Sequence, residues 1–206
     1  VRQFNVSDWV SEFVPCQYNL FYQKHHRTLI KIYSRTTQLF KENFAGWITE
    51  EMLKKELWKR VFDAEVIFNI KAEKYVEGPF GNEIAGREII QEHWGVELET
   101  ELKSPKRYKK QAEELVNHFW EREVKFKKPL VGVIYFYNHP TIKSRLQMHL
   151  NQHFFKQQIY FVELNKFLTG ELEVYDKTDR QADLMEIIKS RIRIYDTEGN
   201  LIKEKV

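Results

Sequence analysis

The chain is poor in the residues that brace small exported proteins or carry a protein through a membrane. Only one of its 206 residues is a cysteine, Cys16. A lone thiol excludes an internal disulfide and a cysteine-built metal site, and it fits a reducing, cytoplasmic setting. Five prolines and eight glycines are too few for a collagen-like or low-complexity chain. No apolar run approaches the roughly 20 residues of a membrane-spanning helix. The longest, Pro129 to Tyr137, has the length of a strand. No signal-peptide pattern is apparent. The chain opens on Val1 rather than Met, as a fragment of a longer protein would. Its net charge is only +3, so any nucleic-acid footprint must be local.

What is present fits a globular protein: 42% hydrophobic residues, 31% charged and 15% aromatic. The length suits one substantial domain with a small appendage. The most informative stretch runs from Gly95 to Ser104. Its odd positions carry Glu97, Glu99, Glu101 and Lys103, and its even positions Val96, Leu98, Thr100 and Leu102. Side chains alternate faces along a strand, so this pattern predicts a half-buried strand with three carboxylates and an amine on one face. Crowded carboxylates repel unless something positive lies between them, and at a functional site that is commonly a divalent cation. A solvated strand face is the competing reading. Two lysine- and arginine-rich runs follow, Lys103 to Lys110 and Lys125 to Lys128.

The periodicity predicts a helix from about Arg27 to Glu42 and a short one from Thr49, a suitable N-cap, to about Arg60. A strand over Val61 to Ile70 and hairpin-like structure over Lys71 to Trp94 come next. After the acidic strand, Pro105 opens a helix to about Glu123. Leu130 to Tyr137 reads as a strand buried on both faces. Residues 141–155 read as a helix and Gln158 to Leu164 as a strand. This order implies a parallel βαβαβ core. A helix over Thr178–Lys189 and a terminal hairpin around Asp196 to Asn200 complete the expectation. The chain then divides into an aromatic-rich helical segment (1–46), an α/β core (47–167) and a C-terminal extension of the same domain (168–206).

Three motifs stand in order: Trp47-Ile48-Thr49-Glu50-Glu51-Met52-Leu53, Phe62-Asp63-Ala64-Glu65-Val66, and Glu97-Leu98-Glu99-Thr100-Glu101-Leu102-Lys103-Ser104 leading into a basic helix. Over residues 45–165 this resembles the plasmid replication-relaxation family, within the PD-(D/E)xK nuclease superfamily. The resemblance implies a restriction-endonuclease-like mixed sheet, a divalent-metal-dependent DNA endonuclease or nickase serving plasmid or mobile-element replication or recombination, and Mg²⁺ or Mn²⁺ as cofactor. It implies Asp63 and Glu97 as metal ligands, with Glu50 as an additional acid. Lys103 would orient water and steady phosphate charge, with Glu99 beside it in the catalytic group. Lys106, Arg107, Lys110 and Gln111 would contact DNA. The implied partners are DNA and replication or recombination proteins, and a homodimer is compatible with cutting both strands. Members often carry a winged-helix domain ahead of this region.

The sequence departs from the pattern in ways that leave alternatives open. Phe62 replaces the proline. Glu99 fills the lysine slot, and Lys103 lies six residues past Glu97. A shifted register would pair Glu101 with Lys103 instead. Glu83 or Glu88, rather than Asp63, is an alternative first-strand acid. A degraded site on the same scaffold, binding DNA without cutting it, is the alternative function. Residue by residue, plainer readings stand alongside: Glu50 as a helix-dipole partner, Gln111 as an exposed glutamine, Lys103 as the partner of a nearby acid. His25 and His26 are adjacent, and neighbours on a helix face about 100° apart, so they do not chelate one metal together. His149 and His153 fall at i, i+4 on the expected helix, a spacing that can bind metal.

Overall fold

A computed structural model describes residues 20–55, 62–78, 81–125, 129–189, 192–195 and 201–205. The protein is mixed α/β, built on one nine-stranded sheet. Helix α1 (Leu20–Leu39) precedes strand β1 (Phe44–Thr49) and the single-turn helix α2 (Glu50–Lys55). Strands β2 (Ala64–Gly78) and β3 (Gly81–Glu99) form a long antiparallel hairpin. Helix α3 (Pro105–Trp120) leads through a π-helical turn, Glu121–Lys125, towards β4 (Gly132–Tyr137). Then come α4 (Pro140–Leu150), β5 (Gln158–Glu163), α5 (Leu164–Thr169), β6 (Glu173–Asp176), β7 (Gln181–Asp183), α6 (Leu184–Lys189), β8 (Ile192–Tyr195) and β9 (Leu201–Lys205).

The strand order is β7-β6-β5-β4-β3-β2-β8-β9, with β1 also on β2. β3, β4 and β5 are mutually parallel, so the expected βαβαβ core is present. The physical origin is local. Ser104 caps α3, its hydroxyl accepting from Arg107 N, and Pro105 stands at the first turn, where its missing N–H costs nothing. The α3 residues Tyr108, Gln111, Ala112, Leu115, His118 and Phe119 recur at helical spacing and are buried. β4 is buried at every position, as a two-sided central strand requires.

Two apolar layers sandwich the sheet. On one side α1, α5 and α6 cover the even-numbered residues Val66, Phe68, Trp94, Val96, Leu98, Ile134 and Phe136. On the other, α3 and α4 cover Val133, Tyr135, Tyr137, Ile159 and Phe161. Leu29 and Ile32 of α1, and Phe40 just after it, belong to the first layer, so this part of the 1–46 segment shares the core of the α/β unit. The β8–β9 hairpin attaches to β2 through parallel pairing of β8.

Several expectations are corrected. The hairpin strands are far longer than expected, and Ala85-Gly86 lies within β3 rather than at a turn. Ladder pairing with β2 overrides the local glycine signal. β3 ends at Glu99, so Glu101 and Lys103 lie in the following loop. The Thr178–Lys189 region divides into β7 and the shorter α6. α4 ends at Leu150, leaving His153 beyond it. Residues 56–61, where the second predicted helix ends and the next strand opens, and the Asp196–Asn200 turn fall outside the described residues.

Candidate functional site

β2 runs antiparallel to β3, with Ala64 opposite Val96. The start of β2 therefore lies beside the end of β3. Asp63 immediately precedes Ala64, and its Oδ2 accepts a 2.7 Å hydrogen bond from Leu98 N. The carboxylate takes the ladder position that a further strand residue would fill, which seats Asp63 next to Glu97. Glu50 N donates to the Asp63 carbonyl at 3.2 Å, so the start of α2 is stitched to the same corner.

The third contributor comes from α1. His25 Nε2 lies 3.2 Å from Asp63 Oδ1. Burial opposes the charge on the His25 ring, but the Asp63 hydrogen bond and the negative charges of Asp63, Glu50 and Glu97 outweigh it, so the imidazole pKa is raised. Asp63, Glu50 and Glu97 thus act on one imidazole. Half-buried His25 heads the inward stripe of α1 that continues through the buried Leu29, Ile32 and Thr36. That spacing is the sequence signal for an inward-facing His25, which a helix starting near Arg27 leaves out; the helix in fact begins at Leu20.

Glu97 and Glu99 are only 7% and 1% exposed, so the acidic face is no solvated strand edge. β4 and β5 present valine, isoleucine, tyrosine and phenylalanine to α3 and α4, whereas β3 presents Gly95, Glu97 and Glu99. Burying a carboxylate is costly unless it is paired, and each partner is provided by the fold. Glu99 Oε1 accepts from Lys103 Nζ and from Gln111 Nε2, each at 2.6 Å. Lys103 therefore pairs with Glu99. Gln111 is buried against the sheet rather than exposed, because its place in the α3 stripe turns it inward. Lys106, Arg107 and Lys110 are exposed on the first turns of α3, with Lys110 3.6 Å from Glu114. Glu50 is 2.6 Å from Lys54 as well.

The alternative acids lie elsewhere. Glu101 is exposed in the loop after β3. Glu88 is nine residues back along β3, about 30 Å at strand rise, and pairs with Lys74 at 3.6 Å. Glu83 is further still along the same strand, and its side chain lies outside the described residues. His149 is buried, and the bend after α4 removes His153 from its helical register. Among the described residues no group of three or more His, Cys, Asp or Glu is arranged to hold a metal.

Further along the same face, Arg122 bonds both oxygens of buried Glu65 at 2.7 and 3.1 Å, and His93 Nδ1 lies 3.3 Å from Glu65 Oε2. Between the β3–α3 loop and the start of α4, an open cleft of about 340 Å³ is lined by Thr100, Leu102, Asn138, His139, Thr141 and Ile142. It lies at the C-terminal ends of parallel strands, where open α/β sheets bind ligands. Among the described residues no helix is long and apolar enough to cross a membrane. No protein-family model, curated protein or solved structure matches the chain.

Proposed function

We propose that the protein is a divalent-metal-dependent DNA endonuclease or nickase acting in plasmid or mobile-element replication or recombination. The observation that carries this reading is the seating of Asp63 beside Glu97 at the end of β3, with the start of α2 and His25 both bonded to Asp63, on a buried face where neighbouring strands carry apolar side chains. Carboxylate oxygens suit a hard cation such as Mg²⁺ or Mn²⁺, which commonly takes one or two carboxylates and completes its shell with water and phosphate oxygens. On those terms Asp63 and Glu97 would be the ligands, with Glu50 adding negative charge. Bound there, the cation would supply Lewis-acid stabilisation of phosphoryl charge and a more acidic water. Lys103 contributes positive charge at the loop that follows, from its seat on Glu99. Lys106, Arg107 and Lys110 offer phosphate contacts beside the cleft.

The test is nicking of supercoiled plasmid with Mg²⁺ or Mn²⁺. Asp63→Asn and Glu97→Gln are expected to lower the rate about a hundredfold or more. A parent protein that nicks no DNA form with either metal refutes the reading. A second reading, a DNA-binding replication accessory without hydrolysis, is favoured by two contacts: Asp63 is engaged by both His25 and Leu98 N, and the lysine is engaged by Glu99. Metal-independent DNA binding, unchanged by the same two substitutions, distinguishes it. In either case binding weakens steeply with salt.

A further inference from the structure

The loop that carries Lys103 is held from four directions. Lys103 N donates to the hydroxyl of Tyr108, a wholly buried residue of α3. Its carbonyl accepts from Arg145 of α4 at 3.4 Å. Its ammonium sits on Glu99 of β3. Three residues before Lys103, Asn138 from the β4–α4 turn donates to Thr100 O at 2.9 Å. Neutralising the buried Glu99 carboxylate needs the ammonium alone, whereas here the backbone that carries it is held as well. Long side chains lose substantial rotamer entropy when held, so exposed lysine pairs contribute little to stability.

Glu99 is itself held. Gln111 Nε2 bonds the same oxygen, Oε1, that receives Lys103, and the Glu99 side chain is 2% exposed. With Oε1 shared between an amide and an ammonium, the carboxylate has one orientation, and the ammonium is fixed by it. Gln111 arrives there because α3 runs back over β3 and presents its buried stripe to the strand.

We infer that Gln111 is a positioning residue: its amide locks the Glu99 carboxylate, and Glu99 sets the Lys103 ammonium at the phosphate-facing end of β3, replacing the lysine that the strand itself lacks. The catalytic half of this inference rests on the nuclease reading, and the positional half does not. Glu97 and Glu99 share a strand face two residues apart, about 7 Å at strand rise, which brings the Lys103 seat next to the carboxylate corner.

The experiment has two arms, run on the parent, Gln111→Leu, Glu99→Gln and the exchange Glu99→Gln/Gln111→Glu. Each protein is first shown to unfold cooperatively on heating. The first arm measures the rate of Lys103 acetylation by acetic anhydride, relative to exposed Lys106, by mass spectrometry. Lys103 is expected to be protected in the parent, to react several-fold faster in both single variants, and to regain protection in the exchange, which restores one carboxylate and one amide. The second arm measures plasmid nicking with Mn²⁺. Gln111→Leu is expected to lower kcat about tenfold, the loss of one hydrogen bond to a charged group, with KM within about twofold. A Gln111→Leu variant whose Lys103 reacts as in the parent overturns the positional claim, whether or not the parent nicks. An unchanged kcat overturns the catalytic half. A parent that nicks nothing, combined with released Lys103 in Gln111→Leu, removes the nuclease reading and supports the positional claim.

Discussion

Replacing Arg122 with methionine tests the energetics of the polar seam beneath α3. The side chains of Arg122 and Glu65 are 3% and 1% exposed, and two charge-assisted hydrogen bonds of 2.7 and 3.1 Å join them. Methionine keeps much of the arginine stem's volume, so the main loss is the guanidinium. Removing one partner of a buried pair costs about 3–5 kcal/mol, because the other charge stays out of water. His93 remains 3.3 Å from the carboxylate and recovers part of this, which sets the expectation near ~3 kcal/mol. Domains of this kind hold about 5–15 kcal/mol in total. With a urea m-value of about 2 kcal/mol/M, the unfolding midpoint falls by about 1.5 M without a change in slope. Glu65→Leu combined with Arg122→Met removes both charges and is expected to return most of the stability. A single variant that loses less than about 1 kcal/mol refutes the reasoning, as does a double variant no more stable than the single.

Other expectations follow from single contacts. Gly132→Ala would set a Cβ 2.2 Å from the Gln158 carbonyl oxygen and 2.8 Å from the Trp94 ring, so a loss of about 2–3 kcal/mol is expected in urea unfolding. Gly86→Ala meets nothing within 4 Å and is expected to change stability by at most about 0.5–1 kcal/mol, in the stabilising direction. Asp176 is buried enough to raise its pKa, but hydrogen bonds from Thr178 and Arg180 outweigh that and hold it below the usual carboxylate value of 3.8. Its contribution is therefore present above that value and is lost as pH falls through the lower folded one. Solvent screening keeps it to about 1 kcal/mol. The stability gap between the parent and Asp176→Asn should thus be open at pH 7 and close in strong acid, as read by thermal unfolding across pH.

The parts legible in advance were those written in local pattern. Ser104-Pro105 and the buried stripe through Tyr108 and Leu115 announce α3, and the apolar run to Tyr137 announces β4, because capping and periodicity involve residues close in the chain. From these the parallel β3–β4–β5 core followed. The Glu97, Glu99, Glu101, Lys103 alternation was legible as chemistry but was misjudged as one half-exposed strand. Period-two spacing states which residues share a face and not where the strand stops or what covers it.

The sequence alone determined the starts of α2, α3 and α4, the central strands and the identity of the acids, while α1 begins at Leu20 rather than Arg27 and α6 at Leu184 rather than Thr178. Tertiary structure decided the rest: that α3 folds back over β3 and buries Glu97 and Glu99, that Gln111 faces the sheet, that β2 places Asp63 beside Glu97, and that His25 joins them from more than thirty residues away. The reason is physical. A carboxylate's partner, burial and charge environment are set by groups brought near through long-range strand pairing and helix packing, which no local window of sequence contains.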